Sequence, residues 1–223
     1  MITVVIPALN EEKALPATLD SILSQQGDFE IIVVDGGSTD NTVTIAKKHD
    51  GVQVLSSAAG RARQMNAGAA VSKGEWVLFL HADAILPTDA FTTILNQEHD
   101  VQAGGFRHRF SGQAWGLKLV SWLHNYRCQR TGVLYGDQAM FIRQHLFKTM
   151  GGFPEVNALE DLLFGEQLVK HTTPVLLPDT VLSDSRKFEQ KGIWISLFRV
   201  ILIQVCHELK LPVPTRKFFA SVR

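Results

Sequence analysis

Only two cysteines, Cys128 and Cys206, occur in 223 residues, with neither Cys-x-x-Cys nor zinc-type spacing. Their scarcity argues against a disulfide framework and fits a reducing compartment. Charge of either sign is not in excess, since Lys+Arg and Asp+Glu both number 22. The global electrostatic footprint of a nucleic-acid binder is therefore missing, and no nucleic acid is expected as a partner. No apolar run is long enough to span a bilayer: the most apolar, Ile193 to Cys206, is too short and carries Arg199 and Gln204. The opening Met1-Ile2-Thr3-Val4-Val5-Ile6-Pro7 lacks the basic region and cleavage site of a signal peptide, so a first strand and a cytoplasmic protein are expected. Internal repeats and low-complexity tracts are also lacking. So is Gly-x-Gly-x-x-Gly after that first strand, where Pro7 stands instead, which argues against a Rossmann dehydrogenase.

What is present is an alternation of apolar strands and amphipathic helices. Strands are expected at Ile2 to Ile6, Glu30 to Val34, Val52 to Leu55 and Trp76 to Leu80. Helices are expected at Leu15 to Gln25, from Ser38 or Asp40 to His49, and at Gly60 to Ser72. Repeated strand-helix-strand units of this length imply right-handed crossovers and a mostly parallel sheet with flanking helices. The second half is less regular. It reads as a strand from Val101 to Phe110, a helix from Trp115 to Arg127, a strand from Gln138 to Ile142 and a short helix from Gln144 to Met150. Beyond these lie a helix from Leu159 to Lys170, short strands at Val175 to Leu177 and Thr180 to Leu182, and a last helix from Lys191 to Leu209. No linker composition divides the chain, so one domain over 1–223 is expected. Residues 1–100 would bind a nucleotide, 101–190 would shape an acceptor and catalytic half, and 191–223 would form an apolar and basic tail.

In an open α/β sheet, ligands sit beyond the carboxyl ends of the strands, and here four such ends converge. After strand one come Pro7, Ala8, Asn10 and Glu11; after strand two, Asp35-Gly36-Gly37-Ser38-Thr39-Asp40; Gly60-Arg61-Ala62-Arg63-Gln64-Met65-Asn66 opens a helix; and His81-Ala82-Asp83 follows Trp76 to Leu80. Asp35 can accept from a ribose hydroxyl or a base N–H. Asn10 and Asn66 can pair with a base, and Arg61 and Arg63 at a helix start can meet phosphate. Taken singly, each is as well read as a turn, a cap or a solvated charge.

In this order the motifs resemble glycosyltransferase family 2, the inverting transferases of GT-A fold. The likeness is carried by Val4-Val5-Ile6-Pro7-Ala8-Leu9-Asn10-Glu11-Glu12, by Val33 to Thr42 and by the acid after strand four. Gly60 to Gly68, Tyr135-Gly136-Asp137-Gln138, Gly151-Gly152-Phe153-Pro154, Leu159-Glu160-Asp161 and Ser185-Arg186-Lys187-Phe188 are similar to a small bacterial, single-domain branch. The resemblance implies a nucleotide-diphospho-sugar donor, an acceptor hydroxyl and Mn²⁺ or Mg²⁺. It puts Asp35 and Asp40 at the nucleotide, Pro7, Ala8 and Glu11 along the base and ribose, and Asp83 on the metal. Asp161 becomes the base, with Glu160 as its neighbour, and Asp137, Gln138 and Arg186 face donor sugar, acceptor or diphosphate. One position departs from the pattern: His81 stands where the family's Asp-x-Asp has its first acid. A neutral imidazole there either hydrogen-bonds the nucleotide or nearby backbone, or ligates Mn²⁺ in preference to Mg²⁺. That departure leaves a second function class open, a non-catalytic sugar-nucleotide-binding or regulatory module. The apolar tail helix is expected either to pack as core or against a second copy, or to lie on the inner face of a membrane. For the membrane it offers Trp194, Phe198, Phe218 and Phe219, with Arg186, Lys187, Lys191, Lys210, Arg216 and Lys217 nearby.

Overall fold

The structure is a computed structural model and describes residues 1–156, 158–209 and 211. Lys210, Arg216, Lys217, Phe218 and Phe219, offered by the sequence for a membrane face, lie outside the described residues. In chain order the elements are β1 (Ile2–Ala8), α1 (Leu15–Leu23), β2 (Phe29–Asp35), α2 (Thr42–Lys47), β3 (Val52–Ser56), α3 (Arg61–Val71), β4 (Trp76–Phe79), β5 (Ala84–Ile85) and α4 (Ala90–Leu95). There follow β6 (Ala103–Phe110), α5 (Trp115–Thr131), a 3-10 turn (Gly136–Gln138), β7 (Phe141–Arg143), α6 (Gln144–Thr149), α7 (Glu160–His171), β8 (Val175–Ser183), α8 (Arg186–Lys191) and α9 (Ile193–Glu208).

One eight-stranded sheet runs in the order β3-β2-β1-β4-β7-β6-β8-β5. Its first four members are mutually parallel, as the alternation of strand and helix requires, and β7 is antiparallel to both β4 and β6. The sheet is therefore mixed. β1 shows why its sequence is apolar without interruption: side chains on both faces are buried. Ile2, Val4 and Ile6 pack on one side with Leu15, Leu19 and Ile22 of α1, while Val5 packs on the other with Ala62, Met65 and Ala69 of α3. Each such fully buried aliphatic side chain is worth roughly 1.5–3 kcal/mol relative to exposure. Gly68 permits the close approach of α3, since a Cβ there would lie 2.4 Å from Val5 Cγ1.

The second half departs from expectation in several places. The strand expected from Gln138 begins only at Phe141, because Gly136 to Gln138 close a 3-10 turn and Ala139 takes a left-handed φ of 46°. The two short strands around Pro178 are one strand, β8, whose register shifts opposite Phe106 and Arg107, and such an irregularity is where a strand tolerates proline. The last helix, expected from Lys191, is α9 and starts at Ile193 after Gly192 with φ 84°, and the short helix α8 before it was not expected. β5 and α4 had no strong sequence pattern. Among the described residues, no helix is long and apolar enough to cross a membrane.

Candidate active site

The carboxyl ends of β1, β2 and β4 and the start of α3 meet as expected. The end of β2 folds back through Asp35, which is nearly buried: its carboxylate accepts from the amides of Gly37 at 3.1 Å and Ser38 at 3.1 Å. Gly36 N donates to Ala8 O at 2.9 Å, and the buried Gln64 donates to both Ala8 O and Val34 O at 2.8 Å. Gln64 thus staples the tips of β1 and β2 beneath the site, a role sequence reading missed although Gln64 lies in the Gly60-to-Gly68 motif. Asn10, in a left-handed φ of 56°, accepts from Thr39 N at 2.8 Å while its own amide donates to Ser38 Oγ at 2.9 Å. Its side chain therefore braces the β2 loop. Pro7 pairs with Val34 in the sheet just below.

Asp40 accepts from Thr42 N at 2.9 Å and Glu12 N at 3.1 Å, besides the Thr42 hydroxyl. Against the desolvation that would raise it, these hydrogen bonds hold its carboxyl below the usual range. Asp40 and Glu11 line a cleft of about 300 Å³ with Asn10, Lys13, Asp83, Asp184, Arg186 and Gln190. Asp83 is delivered to this cleft by a tight turn, in which Ala84 N donates to His81 O at 3.1 Å. That turn is pinned from two sides: Thr18 Oγ1 of α1 donates to Ala82 O at 2.9 Å, and Asp184 N, at the end of β8, donates to Asp83 O at 3.1 Å. Asp184, not anticipated from sequence, also receives Arg186 N at 2.8 Å and pairs with the Arg186 guanidinium.

The two arginines at the start of α3 part company. Arg63 forms an exposed pair with Glu155 at 3.0 Å, whereas Arg61 turns inward, with Nε 2.5 Å from Oε1 of the buried Glu160. Arg61 Nη1 is also 3.4 Å from His81 Nε2. A guanidinium only donates, so a hydrogen bond across this contact requires Nε2 as the acceptor and the ring proton on Nδ1. Burial, and then the neighbouring Arg61 cation, push His81 below its ordinary range, while Glu160 and Asp161 more than offset the burial of Arg61 and keep it charged. The sequence put nucleotide, backbone or metal beside His81; the partner found there is the Arg61 guanidinium. Asn66 is turned to another task than pairing with a base: its amide donates to Phe153 O at 2.9 Å and accepts from Phe153 N at 2.9 Å, holding the Gly151-Gly152-Phe153-Pro154 segment.

α7 begins at Glu160 after Leu159, which takes a left-handed φ of 66°, an uncommon backbone state for a bulky residue. Asp161 Oδ2 then accepts from Gly136 N at 3.1 Å. A Cβ at Gly136 would lie 2.7 Å from His81 Nε2 and 3.3 Å from Asp161 Oδ2. One glycine therefore brings the β4 tip and the start of α7 together. The next residue, Asp137, stands before His124 Nε2 at 3.2 Å and His108 Nε2 at 3.7 Å. Although burial opposes its charge, the two imidazoles hold its carboxyl far below the usual range. Burial drives His108 down to about 4, whereas for His124 the Asp137 carboxylate overrides burial and raises it. Gln138 is wholly buried, its side-chain carbonyl accepting Tyr135 N at 3.0 Å, so it braces the turn. The histidines were missed in the sequence, although His108 stands between the two exposed arginines of Arg107-His108-Arg109, the alternation of a strand with one buried face.

The sequence matches the family model described as glycosyl transferase family 2 over residues 3–147. The chain belongs to that family. A PGL/p-HBAD biosynthesis glycosyltransferase of Mycobacterium bovis (strain BCG / Pasteur 1173P2) is 33% identical over 170 residues, covering 69% of this chain and 63% of its own. An uncharacterized glycosyltransferase of M. bovis is 37% identical over 130 residues, covering 54% of this chain and 58% of its own. The family member described here thus spans less than two thirds of these relatives. Among solved structures, S. aureus TarS 1-349 has a TM-score of 0.69 at 22% identity, over 92% of this chain and 65% of that one, and it has also been solved with UDP and with UDP-GlcNAc. The mannosyltransferase PcManGT from Pyrobaculum calidifontis, in complex with GDP-Man and Mn²⁺, has a TM-score of 0.65 at 22% identity, over 82% and 56%. The fold is thus the α/β GT-A architecture that the resemblance implied, with a mixed central sheet.

Proposed function

We propose that the chain moves a sugar from a nucleotide-diphosphate donor to an acceptor hydroxyl by single displacement with inversion. The observation that carries this reading is the Gly136 junction, whose amide holds Asp161 Oδ2 at 3.1 Å and whose missing side chain admits His81, two residues from Asp83. A group that handles the diphosphate and a carboxylate that takes the acceptor proton then face one reaction centre from opposite halves of the chain. Asp161 is the base: it accepts the hydroxyl proton as the new bond forms to the sugar carbon and the bond to the diphosphate breaks. Glu160 fixes Arg61, and Arg61 with Arg186 offers positive charge to the diphosphate. Asp35 and Asp40 rim the nucleotide, with Pro7, Ala8 and Glu11 on the base and ribose side. Asp137 orders the turn next to Asp161.

Among the described residues, no group of three or more His, Cys, Asp and Glu side chains is arranged to hold a metal. A divalent cation of the Mg²⁺ or Mn²⁺ kind would take one or two carboxylates from the protein and complete its shell with substrate phosphates and water. Asp83 would supply the protein's share, with Asp184 its backbone-bonded neighbour. Such an ion, when bound, supplies neutralisation of the charge that grows on the leaving diphosphate. The nucleotide-sugar complexes of TarS and PcManGT support the choice of donor class, and the Mn²⁺ of PcManGT supports the metal. On the acceptor side, α9 offers a face to a membrane surface or to a second copy of the chain.

The test is a thermal-shift panel of UDP-, GDP- and dTDP-sugars with and without Mn²⁺, combined with transfer assays on Asp161→Asn. One donor should stabilise the protein by mass action, more so with Mn²⁺, and Asp161→Asn should abolish transfer while keeping that shift. Undiminished transfer by the variant would remove Asp161 from the role of base. A second reading, a sugar-nucleotide-binding module without turnover, is favoured by the engagement of His81 with Arg61 where the family has an acid. Tight nucleotide binding with neither nucleotide release nor transfer would decide for it.

A further inference from the structure

The side of α5 turned away from the site carries an aromatic stripe. Trp115, Trp122 and Tyr126 follow one another at spacings of seven and four, which puts them on one face of a helix with 3.6 residues per turn. They are 67%, 60% and 51% exposed. Trp122 and Tyr126 stack with centroids 5.6 Å apart and planes 13° from parallel, holding their rings as a preset pair. The opposite side of the same helix faces the site, where His124 Nε2 lies 3.2 Å from Asp137.

The stripe does not end with α5. Trp115 meets Trp194 of α9 at 5.8 Å between ring centroids, and Gly116 allows the two helices to approach, since a Cβ there would lie 2.8 Å from Ile193 Cγ2. Along α9, Trp194, Phe198 and Ile201 are 59%, 66% and 44% exposed. The two helices thus present one continuous apolar surface, larger than the scattered exposed side chains a soluble surface normally carries. Its flanking charge has one sign on α5: the helix contains Lys118, Arg127 and Arg130 and no acidic residue, and Lys118 and Arg130 are exposed beside the stripe.

We propose that this α5–α9 face lies on an anionic phospholipid surface. Indole and phenol rings combine an apolar body with a polar edge and suit the boundary between headgroups and acyl chains, and the cations beside them suit anionic headgroups. The same cations would face their own kind in a second copy of the chain, which sets the membrane above self-association as the occupant. With the face seated there, the Asp137 and Asp161 side of the site stands about one helix diameter, roughly 10 Å, from the headgroups. The acceptor class that follows is a hydroxyl on a lipid-borne molecule, and this last step rests on the sugar-transfer reading, whereas membrane binding does not.

The experiment is flotation of the full chain with vesicles of phosphatidylcholine containing about 30% phosphatidylglycerol, against vesicles of phosphatidylcholine alone. The chain should float with the anionic vesicles, its tryptophan emission should shift to the blue, and high salt should release it. The double variant Trp122→Glu, Tyr126→Glu should lose about tenfold or more of the partitioning, while its urea unfolding midpoint stays close to that of the unaltered chain, which shows that it is folded. Failure of the unaltered chain to float, or equal flotation of the double variant, overturns the proposal. So does a dimer that the two substitutions dissociate and that binds no vesicles. Flotation without sugar transfer from any donor upholds the membrane face and sinks the transfer reading, so the two fail separately.

Discussion

The guanidinium Nε of Arg61, on the first turn of α3, stands 2.5 Å from Oε1 of Glu160, on the first turn of α7, and ties the first half of the chain to the half that carries Asp161. The Glu160 side chain is 4% exposed and that of Arg61 37%, so truncating the acid leaves a half-buried cation without its main partner. Glu160→Ala should cost about 2–3 kcal/mol of stability, less than a fully buried pair would lose because water reaches Arg61. Glu160→Gln, which keeps an oxygen to accept from Nε, should recover part of that loss. Urea unfolding of both variants measures the difference, and equal losses would show that the charge at residue 160, not its packing or its accepting oxygen, is what matters.

Gly136→Ala should strike the reaction more than the binding of donor. The added methyl would lie 2.7 Å from His81 Nε2 and 3.3 Å from Asp161 Oδ2, so one of the two must move. A displacement of this size at a base reduces turnover on the order of 100-fold. Steady-state kinetics should show kcat falling while the KM for donor changes little. A large rise in donor KM with kcat intact would mean that the junction serves the nucleotide and not the base.

Asn66→Ala should destabilise the fold without weakening nucleotide binding. It removes two hydrogen bonds with the Phe153 backbone and orphans those groups, for about 1–3 kcal/mol. Denaturation midpoints give the first part of this expectation, and nucleotide titration the second. A weakened nucleotide would restore Asn66 to the base-reading role expected of it from sequence.

Acid should unfold the protein earlier than its carboxylates alone require. His108 is held down to about 4, first by burial and then by repulsion from His124 and His81, with Asp137 pulling the other way. Below its ordinary value of 6.5, the unfolded chain takes up a proton that the folded chain refuses until about pH 4. Stability therefore falls as pH drops through that window, by about 2–3 kcal/mol from this group. His81 is shifted in the same direction, while His124, raised in the fold, offsets part of the loss. Asp137, lowered in the fold, adds to the loss once pH falls through the ordinary carboxylate range. Urea midpoints between pH 7 and pH 4 should show the slope, and His108→Gln should flatten it.

The first half of the fold was legible because its signals are local. β1, β2 and β4 are apolar on both faces, their helices carry apolar residues at helical spacing, and turns rich in Gly, Asp and Asn close the units. The second half was less so, because its boundaries depend on distant partners. Nothing near Gln138 announces a left-handed Ala139, which lies between the 3-10 turn and the start of β7, paired with β4 and β6. Of the acids, Asp35, Asp40 and Asp83 stood out by their places after strands, whereas Asp161 stood out only through the family resemblance. Asn66 could not be sorted by residue type, because an amide that reads a base and one that splints a backbone look the same until Phe153 is seen beside it.

The sequence by itself determined the family, the parallel core of β1 to β4 and the set of polar groups delivered to its edge. It does so because alternating burial and turn chemistry act over a few residues. Only the tertiary structure decided which of those groups meet: Arg61 with Glu160, Asp161 with Gly136, Asp137 with His108 and His124, and Asp83 with Asp184. Each of these contacts joins residues far apart in the chain, and their distances follow from how strands and helices pack, which no local spacing encodes. The neighbour of His81 is likewise a tertiary matter: Arg61 Nη1 stands 3.4 Å from its Nε2, twenty residues away in the chain.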